Sequence, residues 1–254
     1  MALKGRTGAS SLCRLASDRL SSAETRRYAR HLVLKGMGGR GQQALKAARV
    51  LVVGAGGLGS PAIAYLAGAG VGTLGIADHD SVSLSNLQRQ MIHTTAGVGA
   101  GKAKSAQSFA QALNPEVQIV LHEQAVTAAN AASVLGDYDL VLDGTDNLVT
   151  RRAVADAAAT LGRPLVSGAV SMFDGQVTVF APDGPGFAEL YPDGASDDDL
   201  PSCEATGILG PLTGVIGTLM AMEAIKLITG IGEPLIGRVL TYDSQGARFA
   251  EFSF

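Results

Sequence analysis

Residues 49–60 read RVLVVGAGGLGS, an apolar run that breaks abruptly into glycine. Gly54, Gly56 and Gly59 fall in the spacing G-x-G-x-x-G, with Gly57 inside the same turn. A buried strand that turns through glycines into a helix brings backbone N–H groups to the helix start, where phosphate oxygens can approach closely. The helix runs to about Ala69, and the next strand, within GTLGIADHD, ends at Asp78. An acid roughly 20 residues beyond such a turn can accept hydrogen bonds from ribose hydroxyls. Glycines placed only for helix–sheet packing are the alternative, but the strand, the helix and the acid all stand where a nucleotide would need them. The spacing therefore implies adenosine binding without separating NAD from ATP.

The rest of the chain alternates in the same grammar. Residues 22–45 read as a helix, with Ser21 or Ser22 before Glu24 as its cap. Strands are expected over 116–124, 138–146 and 163–170, and helices near 101–113, 128–135 and 149–161. This order predicts an α/β fold, a Rossmann-like, doubly wound, mostly parallel sheet. After residue 170 the pattern changes. GQVTVFAP reads as a strand, DGPGFAELYPDGASDDDLPS as a long loop, and 208–229 as a helix buried on most sides. RVLTYDS and ARFAEFSF form a C-terminal antiparallel extension, joined by a turn around Gly246. Residues 22–254 are expected to be one domain, preceded by a flexible tail at 1–21. The tail carries Lys4, Arg6 and Arg14 and no acid before Asp18, so a transit peptide is the alternative to a plain solvated segment.

Composition removes several classes of function. With 46% hydrophobic and 17% charged residues, the chain is not generally disordered. A net charge of −3 without a basic stripe argues against a nucleic-acid partner. Two cysteines, Cys13 and Cys203, suit a reducing compartment, and a cytoplasmic location is expected. The most apolar stretch, 208–229, is interrupted by Gly210, Pro211, Gly214, Gly217 and Glu223, so no membrane-spanning segment is expected.

The segment SLSNLQRQ, residues 83–90, bears on the choice between NAD and ATP. A dehydrogenase has no evident use for Asn86, Gln88, Arg89 and Gln90 together just after its cofactor acid. An enzyme that cuts a triphosphate does. Lys102 follows, and Arg30 adds a cation upstream. Lys102 is no Walker lysine, because Ala96 and Ala103 replace the glycine and the hydroxyl residue of that loop. Asp146, in DGTDN at the carboxyl end of an expected strand, is a natural Mg²⁺ carboxylate.

RYARHL, GAGGLGS, SLSNLQRQ, DGTDN with Thr150 and Arg151, and GPLTGVIGTLMAMEAIKLITG together resemble the MoeB/ThiF/HesA family of adenylyltransferases, relatives of the ubiquitin-activating enzymes. The resemblance runs in order from about residue 22 onward. It implies a homodimer that uses ATP and Mg²⁺ to adenylate the C-terminal glycine of a small ubiquitin-like sulfur carrier protein ending in Gly-Gly. The sulfur would serve molybdopterin, thiamine or related biosynthesis, with a sulfurtransferase or cysteine desulfurase as a further partner. Position by position, Asp78 would hold the ribose, and Asn86, Arg89 and Lys102 the phosphates. Asp146 would hold magnesium or its waters, beside Asn147 and Arg151 of the same motif. Arg30 matches an arginine that in relatives reaches into the neighbouring subunit's site.

The chain departs from many relatives where two C-x-x-C pairs bind zinc. Gly186 and Glu189 occupy the first pair's positions and AEFSF closes the chain without the second, so structural zinc is expected to be absent and the terminal strands to be held by packing. Cys203 aligns with a cysteine that in some relatives takes the carrier or its sulfur covalently; a small buried hydrophobe is the alternative. Three other functions compete with the leading one. A tRNA-directed adenylating dehydratase would want a basic surface. An NAD(P)-dependent oxidoreductase would leave Arg30, Asn86, Arg89 and Lys102 unexplained. An inactive partner subunit would be expected to have lost some of the mapped positions.

Overall fold

The computed structural model describes residues 19–192 and 207–254. Eight strands form one sheet in the order β3-β2-β1-β4-β5-β6-β7-β8. The strands are β1 Arg49–Val53, β2 Thr73–Ala77, β3 Gln118–His122, β4 Leu140–Asp143, β5 Leu165–Ser171, β6 Asp174–Phe180, β7 Arg238–Asp243 and β8 Arg248–Ser253. The first five run parallel and the last three add antiparallel. This is the doubly wound sheet with an antiparallel extension that the alternation predicts.

Period-two burial explains why β1 is apolar from Val50 to Val53. Val50 and Val52 face one core, with Leu45, Ile63, Leu66 and Ile216; Leu51 and Val53 face the other, with Leu135 and Val154. Helices cover both faces, so neither row of side chains can be polar. The first core is roofed by α3 (Gly38–Ala47), α4 (Gly59–Ala69), α5 (Lys102–Leu113) and α9 (Gly210–Thr229). The second is roofed by α6 (Ala131–Leu135), α7 (Leu148–Thr160) and α8 (Phe187–Leu190). Each fully buried leucine or isoleucine contributes about 1.5–3 kcal/mol relative to exposure.

Two expectations need correction. The single helix over 22–45 is three pieces: α1 Ser22–Arg27, α2 Ala29–Leu32 and α3. Ser21 is the cap, with its hydroxyl accepting from Glu24 N–H at 3.1 Å and Glu24 Oε2 accepting from Ser21 N–H at 2.7 Å. The helix then breaks at Tyr28, with φ −97° and ψ 18°, and again where Gly36 sits at φ +92°. The expected strand over 138–146 stops at Asp143, which leaves Asp146 on a loop. Helix α9 is buried along two adjoining rows, Leu212, Ile216, Met220, Ala224 and Ile228 in one and Thr213, Gly217 and Ala221 in the next, while Pro211 and Met222 are exposed. By length and composition α9 could cross a membrane, yet half of that stretch is buried inside the fold.

Where the resemblance places a zinc pair, Gly186 caps α8, its N–H donating to Glu189 Oε2 at 3.0 Å. Phe187 stacks on Tyr191 at 4.7 Å between ring centres and packs on Phe180 at 5.6 Å. Phe254 stands edge-on to Phe180 at 6.0 Å. Rings at these separations give the terminal strands an apolar anchor, each pair adding about 0.5–1.5 kcal/mol beyond area burial. Cys13 and Cys203, with the loop around the latter, lie outside the described residues, as does all of the expected tail except Arg19, Leu20 and Ser21.

Candidate active site

The sheet order reverses between β1 and β4, and a crevice opens at their carboxyl ends, the place where open α/β sheets bind ligands. Register puts Val53 beside Ala77 and Asp143. The next residues along each strand, Gly54, Asp78 and Gly144, therefore meet at one edge and all line the crevice.

The glycine turn is built as the spacing implies. Gly54 has φ +92°, and a Cβ there would press on Gly144 O at 3.0 Å. Gly56 and Gly57 line the crevice, and neither N–H donates a hydrogen bond within the described residues. Gly59 does not line the crevice. A Cβ on it would collide with Gly54 O, so its task is close packing of α4 under the turn rather than ligand contact.

Asp78 is half-buried. Its Oδ2 accepts from Ala55 N–H at 2.7 Å and its Oδ1 from Asp80 N–H at 2.9 Å. A carboxylate offers about four lone-pair sites, so capacity remains for ribose hydroxyls. Asn86 is buried in a short 3₁₀ turn over Leu84–Asn86, its Oδ1 held by Ser83 N–H at 3.4 Å. Arg89 is half-buried at the rim, Nη1 donating to Ser85 O at 3.3 Å. Gln90 is 3% exposed; its Oε1 has no partner among the described residues and the side chain lines the crevice.

Lys102 starts α5 and reaches the crevice through an ion pair that the sequence did not signal. Its Nζ lies 2.9 Å from Asp80 Oδ2. Burial pushes the Asp80 carboxyl upward, but the hydrogen bond and the charge of Lys102 outweigh it, and the net shift is down. Asp80 thus stays ionised beside the ammonium.

Asp146 is exposed at the crevice mouth, on the loop between β4 and α7. Asn147 caps α7, Oδ1 accepting from Thr150 N–H at 2.8 Å. The loop is fixed from beneath by two residues to which the sequence assigns no ligand. Asp143, fully buried, accepts from Thr145 N–H at 3.0 Å and Thr145 Oγ1 at 2.6 Å. Arg151, 4% exposed, donates through Nη2 to Thr145 O and to Gly168 O, the latter at 2.8 Å. Its Nη1 is 3.8 Å from Asp143 Oδ2 and has no hydrogen-bond partner among the described residues.

His93 shows no ligand spacing in the sequence, which points to a structural role, and it is hydrogen-bonded at both ring nitrogens. Nε2 is 2.9 Å from Ala55 O, inside the glycine turn, and Nδ1 is 2.9 Å from Ser105 Oγ. Burial lowers its pKa, the bond to Ala55 offsetting only part of that. No spacing rule could have found this contact, since it joins residues 38 apart in the chain. Arg30 is exposed on α2 and does not line the crevice. The structure thus brings Gly54, Gly56, Gly57, Asp78, Asn86, Arg89, Lys102, Asp146 and Asn147 together in one crevice, and leaves out Arg30 and Gly59.

A doubly wound sheet with a glycine turn, an acid after the second strand and cations at the switch point defines a nucleotide-binding α/β protein. A model of the ThiF family matches residues 28–254, and the chain belongs to that family. A Mycobacterium tuberculosis protein named "Probable adenylyltransferase/sulfurtransferase MoeZ" is 51% identical over 230 residues. The match covers 89% of this chain and 59% of that relative, so the chain spans about three fifths of its length. A Thermus thermophilus protein named "Sulfur carrier protein adenylyltransferase" is 46% identical over 241 residues, covering 92% of this chain and 89% of that protein. Among solved structures, Escherichia coli MccB superposes with a TM-score of 0.78 at 20% identity, covering 93% of this chain and 72% of that one. Likeness at that identity speaks for the fold alone.

Proposed function

We propose that this chain adenylates the C-terminal glycine carboxylate of a small ubiquitin-like sulfur carrier protein, consuming ATP and releasing pyrophosphate. The observation that carries this reading is the placement of Arg89 and Lys102 in the same crevice as the glycine turn and Asp78. Charge that develops on a leaving pyrophosphate calls for such cations, whereas hydride transfer develops none on the phosphates. The names of the Mycobacterium and Thermus relatives point the same way.

The chemistry is governed by charge. A terminal carboxylate has a pKa of about 3.3–3.7 and is already ionised at neutral pH, so no general base is required. One of its oxygens attacks the α-phosphorus; the bond from that phosphorus to the bridging oxygen breaks, and the electron pair leaves on pyrophosphate. The obstacle is an anion approaching a polyanion, about 4 kcal/mol per unit-charge pair at 4 Å and an effective dielectric near 20. Asp78 would bind the ribose, and the Gly56 and Gly57 N–H groups with Asn86 the phosphate oxygens. Arg89 and Lys102 would stabilise charge on the transferring and leaving groups. The exposed carboxylate of Asp146 fits Mg²⁺, which keeps several waters and takes one or two carboxylates; when bound it would neutralise charge on the polyphosphate. Arg30 would complete the set from a second copy of the chain in a homodimer, and Cys203 is a candidate for a later covalent step with the carrier or its sulfur. A sulfurtransferase or cysteine desulfurase would supply that sulfur, the place of work being the cytoplasm.

The test is ATP–pyrophosphate exchange by the purified chain with Mg²⁺ and each small Gly-Gly-ended carrier of its source organism. Exchange with one carrier and not the others would support the reading and name the pathway. No exchange with any carrier, in the presence of measurable ATP binding, would overturn it in favour of another acceptor.

A further inference from the structure

We propose that His93 is a positioning residue that locks the Ala55–Gly56 peptide, so that the Gly56 N–H is held ready for a phosphate oxygen. The inference rests on the proposed function in one respect, that the crevice binds a nucleoside triphosphate.

The hydrogen bonds admit one proton arrangement for a neutral ring. Ala55 O can only accept, so His93 Nε2 carries the proton and donates across 2.9 Å. Nδ1 then presents its lone pair to the Ser105 hydroxyl, 2.9 Å away. Ser105 lies on α5 three residues after Lys102, one helical turn further on. Ala55 is fully buried, and Asp78 Oδ2 takes its N–H at 2.7 Å. The residue is thus gripped at both ends, by the acid assigned to the ribose and by an imidazole anchored on the helix that carries the lysine.

The consequence of this grip falls on Gly56. In a trans peptide the carbonyl of one residue and the N–H of the next point in opposite directions. Turning Ala55 O toward His93 therefore turns the Gly56 N–H away from it, and Gly56 lines the crevice. Glycine on the far side of the peptide tolerates the φ change that a flip would need, so the glycine turn alone does not hold this orientation. His93 itself does not line the crevice. It acts on the ligand only through the backbone, and a histidine with two satisfied nitrogens thereby acquires a task beyond filling the core.

The experiment compares ATP with adenosine by titration calorimetry, without carrier, on the wild type, His93→Leu, His93→Gln and Ser105→Ala. His93→Leu removes the donor and should weaken ATP binding about ten- to a hundredfold, the scale of a lost hydrogen bond to a charged group, while adenosine affinity is unchanged. Glutamine places an amide N–H at a similar reach and should bring ATP affinity back to within a few-fold of the wild type. Ser105→Ala frees the tautomer and should give an intermediate loss. Equal weakening of ATP and adenosine in His93→Leu, or no weakening in a folded variant, overturns the proposal. Should His93→Leu fail to fold, wild-type ATP affinity in Ser105→Ala together with no recovery in His93→Gln overturns it as well. A wild type that binds no ATP would instead overturn the proposed function, and this inference with it.

Discussion

Lys102 Nζ and Asp80 Oδ2 are 2.9 Å apart, the lysine side chain 8% exposed and the aspartate 54%. A nearly buried ammonium is thus aimed by a partner that solvent can reach. A triphosphate entering the crevice competes for that ammonium with one exposed carboxylate, which is weakly placed to resist. Replacing Lys102 by Ala should lower kcat/KM for adenylation about 10²–10³-fold, the range for deleting one preorganised charge-stabilising donor. Asp80→Asn should instead act mainly on KM for ATP, by a few-fold, because it loosens the lysine without removing it. Initial-rate exchange assays separate the two; a larger kcat loss in Asp80→Asn than in Lys102→Ala would contradict this division.

Asp146 stands exposed on its loop and carries no part of the core. Asp146→Ala is therefore expected to leave thermal stability within about 0.5 kcal/mol of the wild type, as is usual for surface positions. Exchange activity should nevertheless vanish, and Asp146→Asn should shift the Mg²⁺ concentration for half-maximal activity upward. A Mg²⁺ titration that superposes on the wild-type curve would remove the metal role from this residue.

The loop beneath Asp146 makes the opposite case. Arg151 is 4% exposed and bonds Thr145 O and Gly168 O, while Asp143 is fully buried. Removing one partner of a buried pair leaves an uncompensated charge and costs about 3–5 kcal/mol. Arg151→Met should therefore lower stability on that scale in urea unfolding, and adding Asp143→Asn should recover part of it. Full additivity of the two substitutions would mean that the 3.8 Å pair carries no coupling.

Most of this architecture was legible because the fold advertises itself by period. Apolar runs ending in Gly54 and Asp78 gave the first two parallel strands, the strand that stops at Asp143 was expected three residues too long, and the glycine spacing located the switch point. Asn86, Arg89, Lys102 and Asp146 were found from residue type and order and do meet in one crevice. Contacts between distant segments were hidden. Asp80 on Lys102, His93 on Ala55 and Arg151 on Gly168 join segments with no periodic relation. Gly59 fits the nucleotide spacing for a packing reason; the break at Tyr28 was masked by good helix formers on either side, whereas Gly36, Gly38 and Gly39 did mark the second break.

Burial lowers the pKa of His93 below its ordinary 6.5, and that of His122 likewise. The unfolded chain therefore takes up these protons before the folded one does. Their stabilisation is complete above about pH 6.5 and is lost as the pH falls through the folded values. Urea unfolding between about pH 7.5 and pH 5 should show wild-type stability declining more steeply than that of His93→Gln, which keeps one hydrogen bond and loses the titration. Parallel slopes would show that His93 contributes no linkage in that window.

Arg30 is exposed and absent from its own chain's crevice, so its proposed role needs a second copy. Subunit mixing tests that requirement. An Arg30→Ala dimer and an Asp146→Ala dimer should each be inactive. Exchange of subunits gives mixed dimers in which one site joins the intact Asp146 of one chain to the intact Arg30 of the other. Random mixing makes about half the dimers mixed, with one good site of two, so about a quarter of wild-type activity should return. If Arg30 acted within its own chain, every site in the mixture would lack one residue or the other. Activity would then stay at the level of the separate variants however long the subunits exchanged.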